Sequence, residues 1–256
     1  MNELLQCRHG KMLFNVNDRY VGKSLQLYGE FSEGECVVFQ QLVRAGWTVL
    51  ELGANIGAHT LLLSRLVGRR GKVIAFEPQR IVFQTLCANI ALNSVLNVDA
   101  KQQAVGSSNG TILVPQLDFL QANNFAGLSL EGAMAGETVA QISIDDLNLK
   151  SCQFIKMDIE GMEREAVLGA SRTLRRLKPI LYVENDRRDK SGLLIQSLLE
   201  LDYNLYWHMP PLYNPANFFG HKLNIFEGIV SRNMVCIHRS LNQDVNSKQI
   251  ITPWDW

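Results

Sequence analysis

Short apolar strands alternate with helices along most of this chain, and this alternation is the feature that most constrains the fold. Segments with helical spacing separate strand-length runs such as VIAF and PILYV, which are apolar at nearly every position. Such runs are typical of strands that are covered on both faces, as in parallel sheets. The pattern therefore predicts an α/β fold with a doubly wound, mostly parallel, Rossmann-like sheet.

The predicted elements begin with an N-terminal extension. Residues 11–16 and 20–27 flank the turn Asn17–Asp18 and are expected to form a β-hairpin, and a helix is expected at 33–43. We expect the hairpin and helix extension to occupy 1–45, the main domain 46–240 and a C-terminal tail 241–256. Later strands and helices are expected at 47–52, 58–67, 72–77, 79–93, 98–105, 152–158, 160–177, 180–184, 193–201 and 203–208.

One interval, 102–149, interrupts the alternation. It contains no Lys or Arg, and its stretch Asn123–Gly136 is rich in Gly, Ser and Asn. A set of loops with a hairpin strand at 111–115 would account for it. A mobile lid over a site is the alternative, because long loops in compact domains are often functional.

Charge and composition exclude several classes of protein. The 25 basic residues balance the 25 acidic ones, which argues against a general nucleic-acid binder. Charged and polar residues interrupt the best apolar stretch, 49–67, so no membrane span is expected. The first residues lack the pattern of a secretory signal, and the five cysteines are widely spaced without a CxxC. Reduced thiols and a cytoplasmic location are the expectation.

A glycine-bearing turn follows the first strand of the main domain. Glu51 lies near the end of that strand, and Gly53, Asn55 and Gly57 follow it. Glycines at the carboxyl end of a parallel strand let the backbone approach a ligand and leave a helix N-terminus free. The middle glycine of GxGxxG is absent, and the Glu51 carboxylate would repel a phosphate. The turn therefore favours a nucleoside ligand that carries an amine or a sulfonium cation.

Two further acidic positions end predicted strands. Glu77 comes 20 residues after Gly57, where a carboxylate can accept hydrogen bonds from both hydroxyls of a ribose; a solvated strand end is the alternative. Asp158 ends an apolar strand and is expected to contact an amine or an acceptor hydroxyl, or to act as a general base. Glu160 is a candidate for the same chemistry, or a helix-capping acid. Two carboxylates do not make a metal site, so no metal is expected.

The segments ELGANIGAHT, VIAFEP, SIDDL, KMDIEG and YVEN, in this order and spacing, resemble the FkbM family of S-adenosylmethionine-dependent methyltransferases. The similarity runs from about 28 to 184, and more loosely to 239. It implies the seven-stranded class I methyltransferase fold, S-adenosylmethionine as cofactor, and methyl transfer to a hydroxyl of a sugar, glycan or other small metabolite.

The resemblance also implies roles for particular residues. Glu51, Gly53, Asn55 and Gly57 would line the methionine end of the cofactor. Glu77 would hold its ribose, and Val105 would flank its adenine. Asp158 and Glu160 would match the acidic motif beside the reacting methyl group. The first position is commonly Asp in the family and is Glu51 here, which is a conservative departure.

The last quarter of the chain contains the residues that we expect to bind the methyl acceptor. The predicted strand 203–208 ends at His208, and a loop rich in Pro, Asn and aromatic residues follows it. His208 is a candidate catalytic base at neutral pH, or a structural histidine. The loop suits a carbohydrate-like or amphiphilic acceptor, or else packs its own aromatic cluster.

Two other functions fit the same sheet. One is an NAD-dependent oxidoreductase, which the incomplete glycine pattern and Glu51 disfavour. The other is a non-catalytic S-adenosylmethionine-binding partner protein, against which Asp158 and Glu160 speak. Methylation of nucleic acid is not expected, because the chain has no basic stripe and no NPPY-type motif.

Overall fold

The computed structural model describes residues 1–125, 127, 132–243, 245 and 247–256. Its strands are β1 (Asn2–Cys7), β2 (Gly10–Asn15), β3 (Thr48–Leu52), β4 (Lys72–Phe76), β5 (Val98–Lys101), β6 (Ala104–Val105), β7 (Gly110–Val114), β8 (Glu137–Ile142), β9 (Phe154–Met157), β10 (Ile180–Glu184), β11 (Tyr203–His208), β12 (Asn233–His238) and β13 (Gln249–Ile250). Its α-helices are α1 (Val21–Tyr28), α2 (Glu33–Leu42), α3 (Ala58–Val67), α4 (Arg80–Leu92), α5 (Glu163–Leu168), α6 (Ser171–Leu177) and α7 (Arg188–Leu199).

The central sheet has the order β13-β11-β12-β10-β9-β3-β4-β5 within the described residues. From β10 to β5 neighbouring strands run parallel, whereas β12 is antiparallel to both β10 and β11. The two-residue β13 adds an edge to the seven longer strands. The prediction of a doubly wound, mostly parallel seven-stranded sheet is thereby confirmed.

Alternate residues of each central strand enter cores on opposite faces of the sheet. On β3, Val49 packs against α2, α3 and α4, whereas Leu50 and Leu52 face the core that is closed by α5, α6 and α7. On β10, Tyr182 enters the same core as Val49, and Val183 enters the same core as Leu50 and Leu52. Burial on both faces explains why these strands are apolar at successive positions.

The N-terminal hairpin lies elsewhere than predicted. It pairs β1 with β2 around a turn at Arg8–His9, and residues 21–28 form helix α1 instead of a strand. Val21, Leu25 and Tyr28 follow helical spacing and are all buried, so one helix face covers the hairpin side of the core. The expectation for 20–27 was therefore wrong because helical and strand patterns are hard to separate in a short apolar run.

Two other predicted elements are divided in the structure. The expected strand 98–105 splits into β5 at the edge of the central sheet and β6 in a separate three-stranded sheet, β6-β8-β7. The expected helix 160–177 becomes α5 and α6, which Gly169 and Ala170 separate. It begins only at Glu163, because Glu160 and Gly161 have positive φ values of 57° and 97°.

The interval 102–149 contains β6, β7 and β8. The predicted strand near 111–115 is β7, which pairs with β8. The lid hypothesis for 102–149 stays a prediction, and part of this interval, 126 and 128–131, lies outside the described residues. Among the helices that are described, none is long and apolar enough to cross a membrane. The domain limits at 45 and 240 stay predictions.

The side chain of Asn89 joins the N-terminal extension to the main domain. This fully buried α4 residue accepts a hydrogen bond from the Leu13 N–H (2.7 Å) and donates to the carbonyls of Leu13 (3.0 Å) and Ile56 (2.8 Å). It thereby imitates a strand neighbour for β2 and also holds the loop that precedes α3.

We expect Asn89→Leu to lower the free energy of unfolding by roughly 2–5 kcal/mol, because three buried backbone groups lose their partner. Urea unfolding followed by circular dichroism measures this loss. Gln196→Ala, on the exposed side of α7, is the control and should change stability by less than about 0.5 kcal/mol. An equal effect of both substitutions would show that Asn89 does not anchor the extension.

Candidate cofactor and active site

The acidic positions predicted from the sequence meet at one edge of the central sheet. β3 lies between β4 and β9, and all three strands run parallel. Glu51 is the next-to-last residue of β3, while Glu77 and Asp158 follow the ends of β4 and β9. The chain order reverses between β3 and β9, which is the position where open α/β sheets bind ligands.

The loop between β3 and α3 is held tightly against both neighbouring strand ends. The N–H groups of Gly53 and Ala54 donate to the Phe76 carbonyl, at 3.0 and 2.9 Å. A Cβ on Gly53 would lie 1.8 Å from the Asp158 carbonyl oxygen, so only glycine fits there. Asn55 and Gly57 also have positive φ values, 51° and 91°. The glycines thus permit the close approach that the sequence pattern indicated.

Glu77 is buried, so it is not a solvated strand end. Its carboxylate accepts hydrogen bonds from the N–H groups of Asn55 (3.0 Å) and Gln79 (2.9 Å). Each oxygen keeps a further lone pair for a ligand hydroxyl. Burial raises the pKa of Glu77 to about 7, although both backbone bonds oppose the shift.

Two adjoining clefts open along these strand ends and share Gly53, Glu77 and Asp158. We call them the Val105 cleft and the His59 cleft; their open volumes are about 480 and 470 Å³. The Val105 cleft is further lined by Phe76, Pro78, Gln79, Gln103, Ala104, Val105, Ile159, Glu160 and Met162. The His59 cleft is further lined by Val21, Phe31, Glu51, Ala54, Asn55, Ala58, His59 and Lys156.

Lys156 is a site residue that the sequence pattern did not single out. It lies within β9, is 2% exposed, and its Nζ is 2.8 Å from Oδ2 of Asp158. Burial alone would lower the pKa of Lys156, but the carboxylates of Asp158, Glu51 and Glu35 raise it. The ammonium group is therefore charged at neutral pH. A lysine in the middle of the apolar run FIKM was the available signal.

Glu51 is 1% exposed, and its Oε2 accepts a hydrogen bond from the Thr60 hydroxyl at 2.6 Å. Its other oxygen, Oε1, has no hydrogen-bond partner in the part of the chain that the structure describes. Burial raises the pKa of Glu51 to about 7, against the charge of Lys156. Near neutral pH the Glu51 carboxyl group is therefore present in both its neutral and its charged form.

His59 also lines this cleft, although the sequence did not indicate it as a site residue. Its ring packs against Phe31 and Phe39, with centroid distances of 5.7 and 5.3 Å. Burial, followed by the charge of Lys156, holds the pKa of His59 well below its usual value. The imidazole is therefore neutral. Within the described residues, Nε2 has no hydrogen-bond partner.

Glu160 lies beside Asp158 and forms an ion pair with Arg187, at 2.7 Å. Burial and the charge of Asp158 raise the pKa of Glu160 to about 8, against the effect of Arg187. Oxygens of Asp158, Glu160 and Glu184 lie within 4.8 Å of one another, a spacing that a metal ion could use. Lys156 and Arg187 already supply two positive charges there, so a metal-free site stays the prediction.

His208 lies apart from the acidic groups. It ends β11, and its Nδ1 is 2.8 Å from the Tyr182 hydroxyl. Burial lowers the pKa of His208, which favours the neutral ring. It is not among the described residues that line either cleft. The catalytic assignment of His208 stays a prediction, while the structure shows a histidine with a structural partner.

The aromatic loop that follows β11 packs against the N-terminal extension. Tyr28 contacts Tyr213 and Phe226 of this loop, with centroid distances of 5.2 and 5.9 Å. Glu30 binds Arg8 at 2.6 Å and accepts hydrogen bonds from Asn214 and from the Phe218 N–H. These contacts give the loop an aromatic cluster of its own.

The raised pKa of Glu51 predicts how the stability of the protein depends on pH. Between its ordinary value of 4.5 and about 7, the folded chain binds more protons than the unfolded chain, so stability falls as pH rises through this window. We expect Glu51→Gln, an uncharged isostere, to stabilise the ligand-free protein by about 3 kcal/mol at pH 8 and by less than about 1 kcal/mol at pH 5.

Urea unfolding at the two pH values measures the difference. Glu200→Gln, at an exposed position after α7, is the control and should have no effect on stability at either pH. A gain from Glu51→Gln that is the same at pH 5 and pH 8 would contradict the raised pKa.

Comparisons with known proteins identify the family of this chain. The model of the family described as "Methyltransferase FkbM domain" matches residues 51–205. The methyltransferase sdnD of Sordaria araneosa is 27% identical over 157 residues, which are 60% of this chain and 55% of that protein. This chain thus spans about half the length of that curated relative.

Solved structures are also similar to this chain, at low identity. The methyltransferase FkbM of Methylobacillus flagellatus KT is 18% identical, covers 85% of this chain and 55% of its own, and has a TM-score of 0.50. A SAM-dependent methyltransferase from Aquifex aeolicus is 15% identical, covers 87% and 95% of the two chains, and has a TM-score of 0.46.

The family match includes the loop after β3 and the ends of β4 and β9, where the acidic residues meet. It confirms the resemblance drawn from the sequence, the methyltransferase class and S-adenosylmethionine as the cofactor. Because the family model matches more than half of the chain, this protein belongs to the FkbM family of methyltransferases.

Proposed function

We propose that this protein transfers a methyl group from S-adenosylmethionine to a hydroxyl of a sugar, glycan or other small metabolite. The observation that carries the proposal is the position of Asp158 where the two clefts meet, with its carboxylate held by the buried Lys156. A carboxylate at that point can face both a cofactor and an acceptor that lies next to it.

The two clefts suit the parts of the cofactor. In the Val105 cleft, Val105, Phe76 and Met162 offer apolar surface for an adenine, and Glu77 accepts hydrogen bonds from ribose hydroxyls. The methionine end would then extend past the loop of Gly53, Asn55 and Gly57 into the His59 cleft beside Glu51.

Charge supports the same placement. Glu51, Glu77 and Asp158 face Lys156 in the His59 cleft, so three carboxylates surround one ammonium group. A ligand with a net positive charge offsets this excess, whereas a pyrophosphate would add to it. The buried acidic groups therefore favour a sulfonium cofactor over a dinucleotide.

Bound S-adenosylmethionine supplies a methyl group that its sulfonium already activates. The protein must then align the acceptor hydroxyl and remove its proton. Lys156 binds Oδ2 of Asp158, so Oδ1 is the oxygen that would accept the hydroxyl proton. Glu160, with its raised pKa, would pass that proton on, and solvent would finally receive it. His208 would contribute only through Tyr182.

Calorimetric titration with S-adenosylmethionine, S-adenosylhomocysteine and NAD tests the cofactor site. We expect micromolar binding of both adenosyl compounds and a loss of about 100-fold in Glu77→Ala, because two charge-assisted hydrogen bonds to the ribose disappear. Glu200→Ala, at the exposed position, should bind like the wild type. Binding of NAD without binding of either adenosyl compound would reject the proposal and favour an oxidoreductase.

Labelled methyl transfer to small molecules and glycans of a cell extract tests the role of Asp158. We expect Asp158→Asn to slow transfer by about 100-fold or more, with S-adenosylhomocysteine affinity changed only a few-fold, because proton removal is lost while the cofactor cleft remains. An unchanged rate in this variant would reject the proposed role.

The stability of the product tests the acceptor class. A methyl ether formed on a hydroxyl resists mild alkali, whereas a methyl ester releases labelled methanol. The proposal requires that the label survive. Release of methanol from the wild-type product would place the methyl group on a carboxylate and reject a hydroxyl acceptor.

A further inference from the structure

The His59 cleft contains two buried hydrogen-bond acceptors that the described part of the chain leaves without donors. They are Oε1 of Glu51 and Nε2 of His59, on side chains that are 1% and 5% exposed. Both residues line the same cleft, beside Gly53 and Asp158. Unpaired acceptors at this depth are costly, so each such pair calls for an explanation.

The tautomer of His59 can be assigned from its contacts. The backbone of Phe31 acts on the ring and partly opposes the fall in the pKa of His59, as a carbonyl acceptor would, and Nε2 has no hydrogen-bond partner among the described residues. The neutral ring carries one proton, which we assign to Nδ1 because the Phe31 carbonyl can accept it and Nε2 has no acceptor nearby. Contacts with Phe31 and Phe39 hold the ring in place. Nε2 is thereby an acceptor in a fixed position.

A single ligand group that binds both atoms is a hydrogen-bond donor with more than one hydrogen. At the methionine end of the cofactor, a carboxylate offers acceptors alone, and a sulfonium offers no N–H or O–H group. The α-ammonium carries three hydrogens and a positive charge. An acceptor hydroxyl carries one hydrogen, which cannot serve both atoms at once.

We propose that Nε2 of His59, together with Oε1 of Glu51, binds the α-ammonium group of S-adenosylmethionine. This inference rests on the proposed cofactor and deepens it: Glu51 provides the negative charge, and His59 provides an uncharged acceptor that determines where the ammonium lies. His59 is thus a cofactor-binding residue that selects for the amino group.

The first test compares two ligands on the wild-type protein by calorimetry. S-adenosylhomocysteine carries the α-amino group, and its deamino analogue has hydrogen in that place. We expect the analogue to bind at least about tenfold more weakly, because hydrogen bonds to a charged donor are lost. Equal affinities would overturn the inference while leaving the cofactor proposal intact.

The second test assigns the preference to His59. In His59→Phe the ring still packs between its aromatic neighbours but has no acceptor, so S-adenosylhomocysteine should bind about tenfold more weakly and the analogue as before. His59→Gln, whose amide oxygen can reach the position of Nε2, should recover part of the loss. Neither measurement requires the methyl acceptor.

The outcomes separate the inference from the proposed function. A wild-type protein that binds neither S-adenosylhomocysteine nor S-adenosylmethionine would overturn both. If His59→Phe keeps its full affinity for S-adenosylhomocysteine, His59 does not bind the ammonium and the inference fails. An equal loss for both ligands in this variant would also overturn it. If His59→Phe does not fold, the wild-type ligand comparison and His59→Gln still decide.

Discussion

The ammonium group of Lys156 is the charge on which the site depends. It lies within the central sheet, bonded to Asp158, and the carboxylates of Glu51 and Glu35 also act on it. Removal of one partner of such a buried group usually costs several kcal/mol, because the remaining charge is left uncompensated. One lysine thus forms an ion pair with the acid that would face the acceptor, and it partly offsets the effect of burial on the pKa of Glu51, beside the cofactor loop.

Lys156 only partly offsets the burial of the nearby carboxyl groups, so the site favours a further positive charge. Burial leaves the pKa values of Glu51 and Glu77 at about 7 despite the nearby lysine. The ligand-free protein therefore holds carboxyl groups that would be more stable with a cation nearby. Stability that is given up at such a site is commonly recovered on binding, since a ligand that binds only the folded state stabilises it.

The sheet and the acidic strand ends could be predicted because strong local patterns specify them. Strands buried on both faces are apolar throughout, and the glycine turn, Glu77 and Asp158 stand out at their ends. Lys156 and His59 could not be recognised in this way, because their roles depend on burial. His59 lies in α3, where most residues are buried. Its position in the sequence of this helix therefore does not indicate that it lines a cleft.

The wrong prediction for residues 21–28 and the assignment of His208, which stays a prediction, both depend on long-range contacts. Residues 21–28 have enough apolar content for a strand, and only packing against the hairpin decides for a helix. His208 has the chemistry of a base, but β12 and β10 separate its strand from β9, and the Tyr182 hydroxyl engages its ring. The order of strands in a sheet is a long-range property, which spacing along the chain does not contain.

The contacts around Gly53 explain how a site of this kind can align two reactants. The glycine backbone packs directly against the Asp158 carbonyl, where a Cβ would clash, so the loop lies in contact with the end of β9. The Asp158 N–H also donates to the Leu52 carbonyl, and Glu77 holds Asn55 from the other side. The groups that would contact the cofactor and the acid that would meet the acceptor therefore belong to one packed, hydrogen-bonded unit. For a methyl donor that is already activated, such alignment supplies much of the catalysis, because no reorganisation is needed when the reactants meet.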